Sequence, residues 1–257
     1  MTIPAPQANS AHARQLRLPG YEKDITFYVA CYNEEGNITS TLDTLTAALA
    51  EVDCSWEIIV VDDGSTDRSV EIIHRYIDEH PGLPIYCHIN EKNKGLAETY
   101  IDAAFLGRGK YYRLVCGDDA EPKETFVTLL KHLREADMII PYQVECKGKS
   151  LPRRMLSKTF TWLVNLVSGY RIRYYNGLAI HLRYNVMRWH TNNRGFGFQA
   201  DLITRLLDQG FSYVEVPVVA QERTKGQSKA VTRKNFLSVA HTLFEMFIRR
   251  LGRRRRR

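Results

Sequence analysis

The sequence predicts an α/β fold: a mostly parallel sheet covered by helices on both faces and followed by a C-terminal amphipathic helix. Three observations predict it. Short apolar, β-branched runs of strand length alternate with segments whose apolar residues recur at helical spacing. The runs lack polar alternation, as strands buried on both faces do. Acidic pairs recur where the runs end, at Glu34 and Glu35, Asp62 and Asp63, and Asp118 and Asp119. In an open α/β sheet, ligands bind at the carboxyl ends of the strands.

The elements follow in chain order. Ile25 to Cys31 is the first apolar run, leading into the polar turn Tyr32 to Asn37. A helix starts at Ile38, capped by Asn37 or Thr39, with Leu42, Leu45 and Leu49 at helical spacing. Ile58 to Val61 is the second strand and ends at Asp62 and Asp63. Gly64 allows a sharp turn, and Ser65 is a good cap for a helix over Val70 to Ile77. Next come a strand over Pro84 to Ile89, a helix over Glu98 to Leu106, and a strand over Tyr111 to Cys116. The turn Gly117 to Pro122 leads to a helix over Lys123 to Arg134 and a strand over Met138 to Pro141. Ala200 to Leu207 and Asn235 to Leu251 read as later helices. The second of these carries Phe236, Ala240, Leu243, Phe247 and Leu251 on one face. The organisation is therefore a polar tail over residues 1–20, one α/β domain over 21–233, and a helix with an arginine tail over 234–257.

At 257 residues the chain can build one large core. Hydrophobic residues make up 44% and charged residues 25%, which excludes a disordered chain. The net charge of +7 points to anionic partners: phosphate-bearing ligands, an acidic membrane surface or nucleic acid. Nucleic acid is the weakest of these, because neither a reading helix nor a stacking platform accompanies the arginine tail. The five cysteines are scattered and lack a CxxC spacing, so they read as reduced thiols in a cytoplasmic setting. No apolar run reaches the ~20 residues of a membrane span, and no signal-peptide pattern is present.

The first turn, Cys31-Tyr-Asn-Glu-Glu-Gly36, argues against a dinucleotide-binding enzyme. It lacks the glycines that let a pyrophosphate approach the first helix. Bare carboxylates at the ligand edge would repel a diphosphate, and a divalent cation between them turns repulsion into attraction. The acids thus support a metal-dependent nucleotide-sugar or phosphoryl site.

The ordered set Val29 to Glu35, Val60 to Asp67, Asn93 to Leu96 and Gly117 to Pro122 resembles the family-2 glycosyltransferases, which have the Rossmann-like GT-A fold. Gly195 to Leu202, Glu215 to Pro217 and Arg223 to Lys229 resemble, more narrowly, the dolichyl-phosphate mannose and polyprenyl-phosphate sugar synthases. The resemblance covers about residues 24–235. It implies an inverting transfer of a hexose from a GDP-mannose or UDP-glucose type donor to polyprenyl or dolichyl phosphate at the cytosolic face of a membrane. It also implies that Ala30, Tyr32, Asn33, Glu34, Asp62, Asp63, Lys94, Gly117, Asp118 and Asp119 bind the donor, with Mg²⁺ or Mn²⁺. The metal motif departs from the family's Asp-x-Asp. With Pro122 aligned, Asp118 takes the second aspartate and Cys116 the first, and a neutral thiol suits a hard ion poorly. Asp118 is then the main expected ligand and Asp119 the second.

On the acceptor side the basic stretch Lys147 to Lys158, with Arg153 and Arg154, precedes the apolar segment Phe160 to Val167 and suits a lipid phosphate. Asn176, Gln199 and Ser228 are the further acceptor-binding candidates. Asp201 takes the place of an acid thought to orient or deprotonate the acceptor. An acceptor hydroxyl needs such a base, whereas a phosphate is already an anion and needs positioning and charge cancellation. Arg223 and Lys229 would offset the charge of the leaving nucleoside diphosphate or grip the acceptor phosphate. The last helix reads as an in-plane membrane helix with basic anchors, as a helix packed on the core, or as one covered by a membrane-anchoring subunit. Rival functions are transfer to a saccharide, nucleotidyl transfer with pyrophosphate release, and a non-catalytic nucleotide-sugar-binding module.

Overall fold

The structure is a computed structural model describing residues 21–147, 151–189, 197–221 and 233–254. The described residues form seven strands: β1 (Lys23–Cys31), β2 (Trp56–Asp62), β3 (Ile85–Ile89), β4 (Gly109–Cys116), β5 (Met138–Lys147), β6 (Ile180–Leu182) and β7 (Tyr213–Gln221). The helices among them are α1 (Ile38–Leu49), α2 (Ser69–Glu79), α3 (Leu96–Leu106), α4 (Lys123–Lys131), α5 (Leu151–Ser168), α6 (Arg183–Met187), α7 (Phe198–Asp208) and α8 (Arg233–Arg254).

All seven strands join one sheet in the order β3-β2-β1-β4-β6-β5-β7. β1 is central to the first half and pairs in parallel with β2 on one side and β4 on the other. Its register places Cys31 beside Asp62 and Ala30 beside Cys116. The turns after β1, β2 and β4, which carry the acidic pairs, therefore meet at one edge.

Each central strand is apolar on both sides because both sides are covered. Phe27, Val29, Ile58 and Val60 pack into the layer built by α1, α2 and α4. Tyr28, Ile59 and Val61 pack into the layer built by α3, α5, α6 and α7. Burying a side chain of this size contributes about 1.5–3 kcal/mol.

The sheet is mostly parallel, as expected, with one local exception. β6 runs antiparallel to both β4 and β5 and separates them. β7 pairs in parallel with β5 alone and lies at the sheet's edge. Pro217 is tolerated in β7 because an edge strand leaves one row of N–H groups without ladder bonds.

Several local expectations are corrected. α2 begins at Ser69, close to the expected Val70, but the residue before it is Arg68, not Ser65, and Arg68 makes no side-chain cap. Asn37 does precede α1, but its amide donates to Glu34 Oε2 at 2.8 Å instead of capping the helix. α4 ends at Lys131, before Arg134, whose φ of +87° lies in the left-handed region. On α8, Leu243 packs on the core, while Phe247 and Leu251 are exposed. Among the described residues no helix is long and apolar enough to cross a membrane.

Candidate active site

The turn after β1 and the loop after β2 are stitched into one surface. Asn33, at φ +57°, donates its N–H to Ser65 Oγ at 2.8 Å, and its Oδ1 accepts the Thr66 N–H at 2.8 Å. Glu34 N–H donates to Ser69 Oγ at 2.9 Å, and Glu35 N–H donates to Asp67 Oδ2 at 3.1 Å. Burial alone would raise the Asp67 carboxyl, but the Ser69 hydroxyl and N–H and the Glu35 N–H outweigh it and hold it below the usual carboxylate range. Ser65, Thr66 and Asp67 thus shape the first turn; Tyr32 remains exposed on it.

Asp62 closes β2 and is fully buried. Its Oδ1 accepts the N–H groups of Gly64 at 3.2 Å and Ser65 at 2.8 Å, an Asx-turn that Gly64 completes at φ +78°. Its Oδ2 is buried with no hydrogen-bond partner. An orphaned carboxylate oxygen is costly in a closed core and useful where a ligand supplies the donor. The neighbouring Cys31 thiol is pushed up to about 12, mainly by burial and further by Asp62, so it stays protonated at neutral pH.

Asp63 Oδ1 accepts from Asn90 Nδ2 and Lys94 N–H, both at 2.9 Å, and its Oδ2 accepts from Gly95 N–H at 2.8 Å. Both oxygens fasten the loop before α3. The Lys94 ammonium likewise lies 2.8 Å from Asp102 Oδ2 on α3. Only its backbone belongs to the site edge.

Gly117 brings the third turn into contact with the first. Its N–H donates to Ala30 O at 2.9 Å, and a Cβ there would lie 2.9 Å from the same oxygen and 3.7 Å from Glu34 Cγ. Ala30, Glu34 and Gly117 therefore share one surface, next to buried Asp118. Asp119 leaves this surface. At φ +52° it turns its carboxylate onto α1, accepting from Ser40 Oγ at 2.6 Å and Thr44 Oγ1 at 3.3 Å. These contacts fasten the loop after β4 to α1.

Two arginines, Arg113 and Arg249, hold these parts in place. Arg113, buried within β4, pairs with Glu121 at 2.6 Å and donates from Nε to Leu178 O at 3.2 Å. It links the Asp118 loop to the Asn176–Leu178 segment. The signal was a charged residue inside an otherwise apolar strand, which requires a buried partner. Arg249 of α8 donates from Nη1 to Asp201 Oδ1 at 2.8 Å and from Nη2 to Thr204 Oγ1 at 2.7 Å. Asp201, fully buried, also accepts from Arg205 Nε at 2.8 Å and Trp189 Nε1 at 3.2 Å. It is an ion-paired junction between α7 and α8, not an open base.

Gln199 is also buried, with its Oε1 3.4 Å from His181 Nε2. Burial lowers the His181 ring to about 4, so it is neutral. Gln199 therefore belongs to the interior, in contrast to the exposed Asn176 and the first-turn residues Arg153 and Arg154 of α5. Arg223, Ser228 and Lys229 lie outside the described residues, as do Gly195 and Phe196. Gly177 has a plain steric role: a Cβ would lie 2.5 Å from Pro141 O and 2.8 Å from Pro141 Cγ. Gly177→Ala is expected to displace the Asn176–Leu178 segment and to cost about 1–3 kcal/mol, read as a lower urea midpoint with unchanged m.

The sheet, its two helix layers and the acidic carboxyl edge define a GT-A fold, the fold of nucleotide-sugar-dependent glycosyltransferases. The model of the family described as "Glycosyl transferase family 2" matches residues 26–196, and the chain belongs to that family. The undecaprenyl-phosphate mannosyltransferase of Micrococcus luteus is 28% identical over 218 residues, covering 78% of this chain and 85% of the relative. The undecaprenyl-phosphate 4-deoxy-4-formamido-L-arabinose transferase of Pectobacterium atrosepticum is 22% identical over 228 residues, covering 87% of this chain. This chain spans 66% of that relative's length. Among solved structures, glucosyl-3-phosphoglycerate synthase from Mycobacterium tuberculosis, in complex with Mn²⁺, UDP-glucose and phosphoglyceric acid, superposes with a TM-score of 0.65 at 16% identity. That match covers 88% of this chain and 80% of the other.

Proposed function

We propose that this chain transfers a hexose from a nucleotide sugar to a polyprenyl or dolichyl phosphate, with inversion at the anomeric carbon, at the cytosolic face of a membrane. The observation that carries the reading is Asp62 Oδ2, a buried carboxylate oxygen without a partner at the sheet's carboxyl edge. In this reading it accepts from a base N–H or a ribose O–H of the donor. Glu34, Ala30, Tyr32, Asn33 and Gly117 complete the donor surface, and the polyprenyl-phosphate relatives support the acceptor class.

Among the described residues no three metal-ligating side chains converge. Mg²⁺ carried on a diphosphate is commonly held by one or two carboxylates, with substrate oxygens and water filling the rest. Buried Asp118 fits that requirement and would hold Mg²⁺ or Mn²⁺. When bound, the cation would offset charge on the donor's diphosphate.

Asp201 supports a phosphate acceptor. Its carboxylate is engaged by Arg205, Arg249 and Trp189. An acceptor already anionic at neutral pH needs no base, so this arrangement suits it better than it suits a hydroxyl acceptor. Arg153 and Arg154 at the start of α5, with Arg223, Ser228 and Lys229, are the candidate phosphate-gripping residues. A membrane-anchoring subunit is compatible with this reading.

Incubation of the full chain with GDP-mannose or UDP-glucose, Mn²⁺ and polyprenyl phosphate is expected to release nucleoside diphosphate and form a lipid-phosphate sugar, and chelation should abolish the reaction. Transfer only to a saccharide would overturn the acceptor class. Pyrophosphate release would indicate nucleotidyl transfer, and no turnover of any donor would leave the binding-module reading.

A further inference from the structure

The solvent sides of α5 and α8 are apolar where a surface helix ordinarily carries charge. α5 turns Thr161, Val164 and Ser168 inward. On the opposite side Leu151, Met155, Trp162 and Leu166 follow one another at four, seven and four residues, so they form one stripe. They are 74%, 69%, 61% and 56% exposed. α8 turns Thr242 and Met246 inward and exposes Phe244, Phe247, Ile248 and Leu251. These four also fall on one side, at spacings of three, one and three.

The two helices are fixed to each other at their C-terminal ends. Arg250 Nη1 donates to the carbonyls of Leu166 and Val167. Gly169 leaves room for that guanidinium, since a Cβ there would lie 3.1 Å from Arg250 Cζ. α8 is in turn fastened to α7 through Arg249 and Asp201. The helices that carry the stripes are thus joined to each other and to α7.

We infer that this helix pair is a docking platform for a bilayer with anionic headgroups. The inference rests on the reading above that the acceptor is a membrane lipid, and it assigns the surface that brings the chain to it. Charge selects the occupant. α5 contains Arg153, Arg154 and Lys158 and no acidic residue, and α8 runs into five consecutive arginines, Arg253 to Arg257. A sequence that sets apolar side chains beside basic ones suits the headgroup and acyl boundary of an acidic leaflet. Trp162 is a side chain favoured at that depth. A second copy of the chain would bring these cations against their equivalents, which like charge opposes. An apolar surface of this kind is unusual on a free monomer.

The test is flotation of the full chain with vesicles of phosphatidylcholine alone and with added phosphatidylglycerol, without donor or acceptor. Binding is expected to the anionic vesicles. Phe244→Ser with Phe247→Ser, and separately Met155→Ser with Trp162→Ser, should each weaken it at least about tenfold. Transfer to a short-chain polyprenyl phosphate in detergent should stay at the parent rate in the α8 pair, and an unchanged urea midpoint shows that the α5 pair, which lies in the acceptor-side segment, is folded; should one pair unfold, the other decides. Parent-level vesicle binding by a folded variant pair overturns the platform, as does failure of the parent chain to bind either vesicle. In the latter case a concentration-dependent dimer would reassign the face to a second copy. Vesicle binding without any transfer in detergent would overturn the proposed function and leave the platform standing.

Discussion

Asp118→Asn is expected to lower kcat/KM for sugar transfer by roughly 10³-fold or more, with the fold retained. The substitution is close to isosteric. It preserves an acceptor for the Ala120 N–H, which lies 3.3 Å from Asp118 Oδ1. What it removes is the negative charge at the buried position next to Gly117 and the donor surface. A diphosphate carried with a hard cation needs an anionic oxygen there, and a carboxamide is a much weaker ligand for Mg²⁺ or Mn²⁺. Asp119→Asn is the matched control, because that carboxylate is spent on Ser40 and Thr44 of α1. It should leave kcat/KM near the parent value and cost about 1 kcal/mol of stability. Steady-state rates measured across a Mn²⁺ titration separate the two positions. Equal losses at both, or parent activity in the Asp118 variant at every metal concentration, would remove Asp118 from the metal-holding role.

The parts of the molecule that local chemistry controls were legible in the chain. Apolar strands that end at Cys31, Asp62 and Cys116 and lead into acidic turns disclosed the parallel half of the sheet and the edge where the turns meet. β6 was not legible. Three residues, Ile180, His181 and Leu182, offer too little periodicity, and they pair only because β4 and β5 flank them. β7 was masked by Pro217, which reads as a strand breaker until its edge position is known. What the chain did not disclose is which side chains have partners distant in sequence. Asp63 reaches Asn90 and Gly95, and Asp119 reaches Ser40. The spacing of acids says which residues stand at the sheet edge, but it does not say which carboxylates are already occupied. Asp62 differs from Asp63 on that point alone: one of its oxygens is unclaimed.

Arg249→Ala is expected to destabilise the chain by about 1–3 kcal/mol, because it removes one of two guanidiniums from a buried carboxylate and leaves Arg205 as its remaining ion-pair partner. Asp201 is 0% exposed with Arg249 in place. Arg249 also donates to Thr204 Oγ1 and lies 3.0 Å from Asp208 Oδ2, so the same substitution releases α8 from three points on α7. Urea unfolding followed by far-UV circular dichroism reads the effect, and early loss of helical signal would show α8 separating first. Arg249→Met with Asp201→Asn should recover much of the loss, since a neutral pair of similar shape has no uncompensated charge. Asp201→Asn alone then decides between two roles. A junction residue loses stability while kcat, measured on folded protein, stays within a few-fold of the parent. A general base would lose kcat by about 10²–10⁴-fold at little cost in stability, and that result would return Asp201 to the chemistry and the acceptor to a hydroxyl.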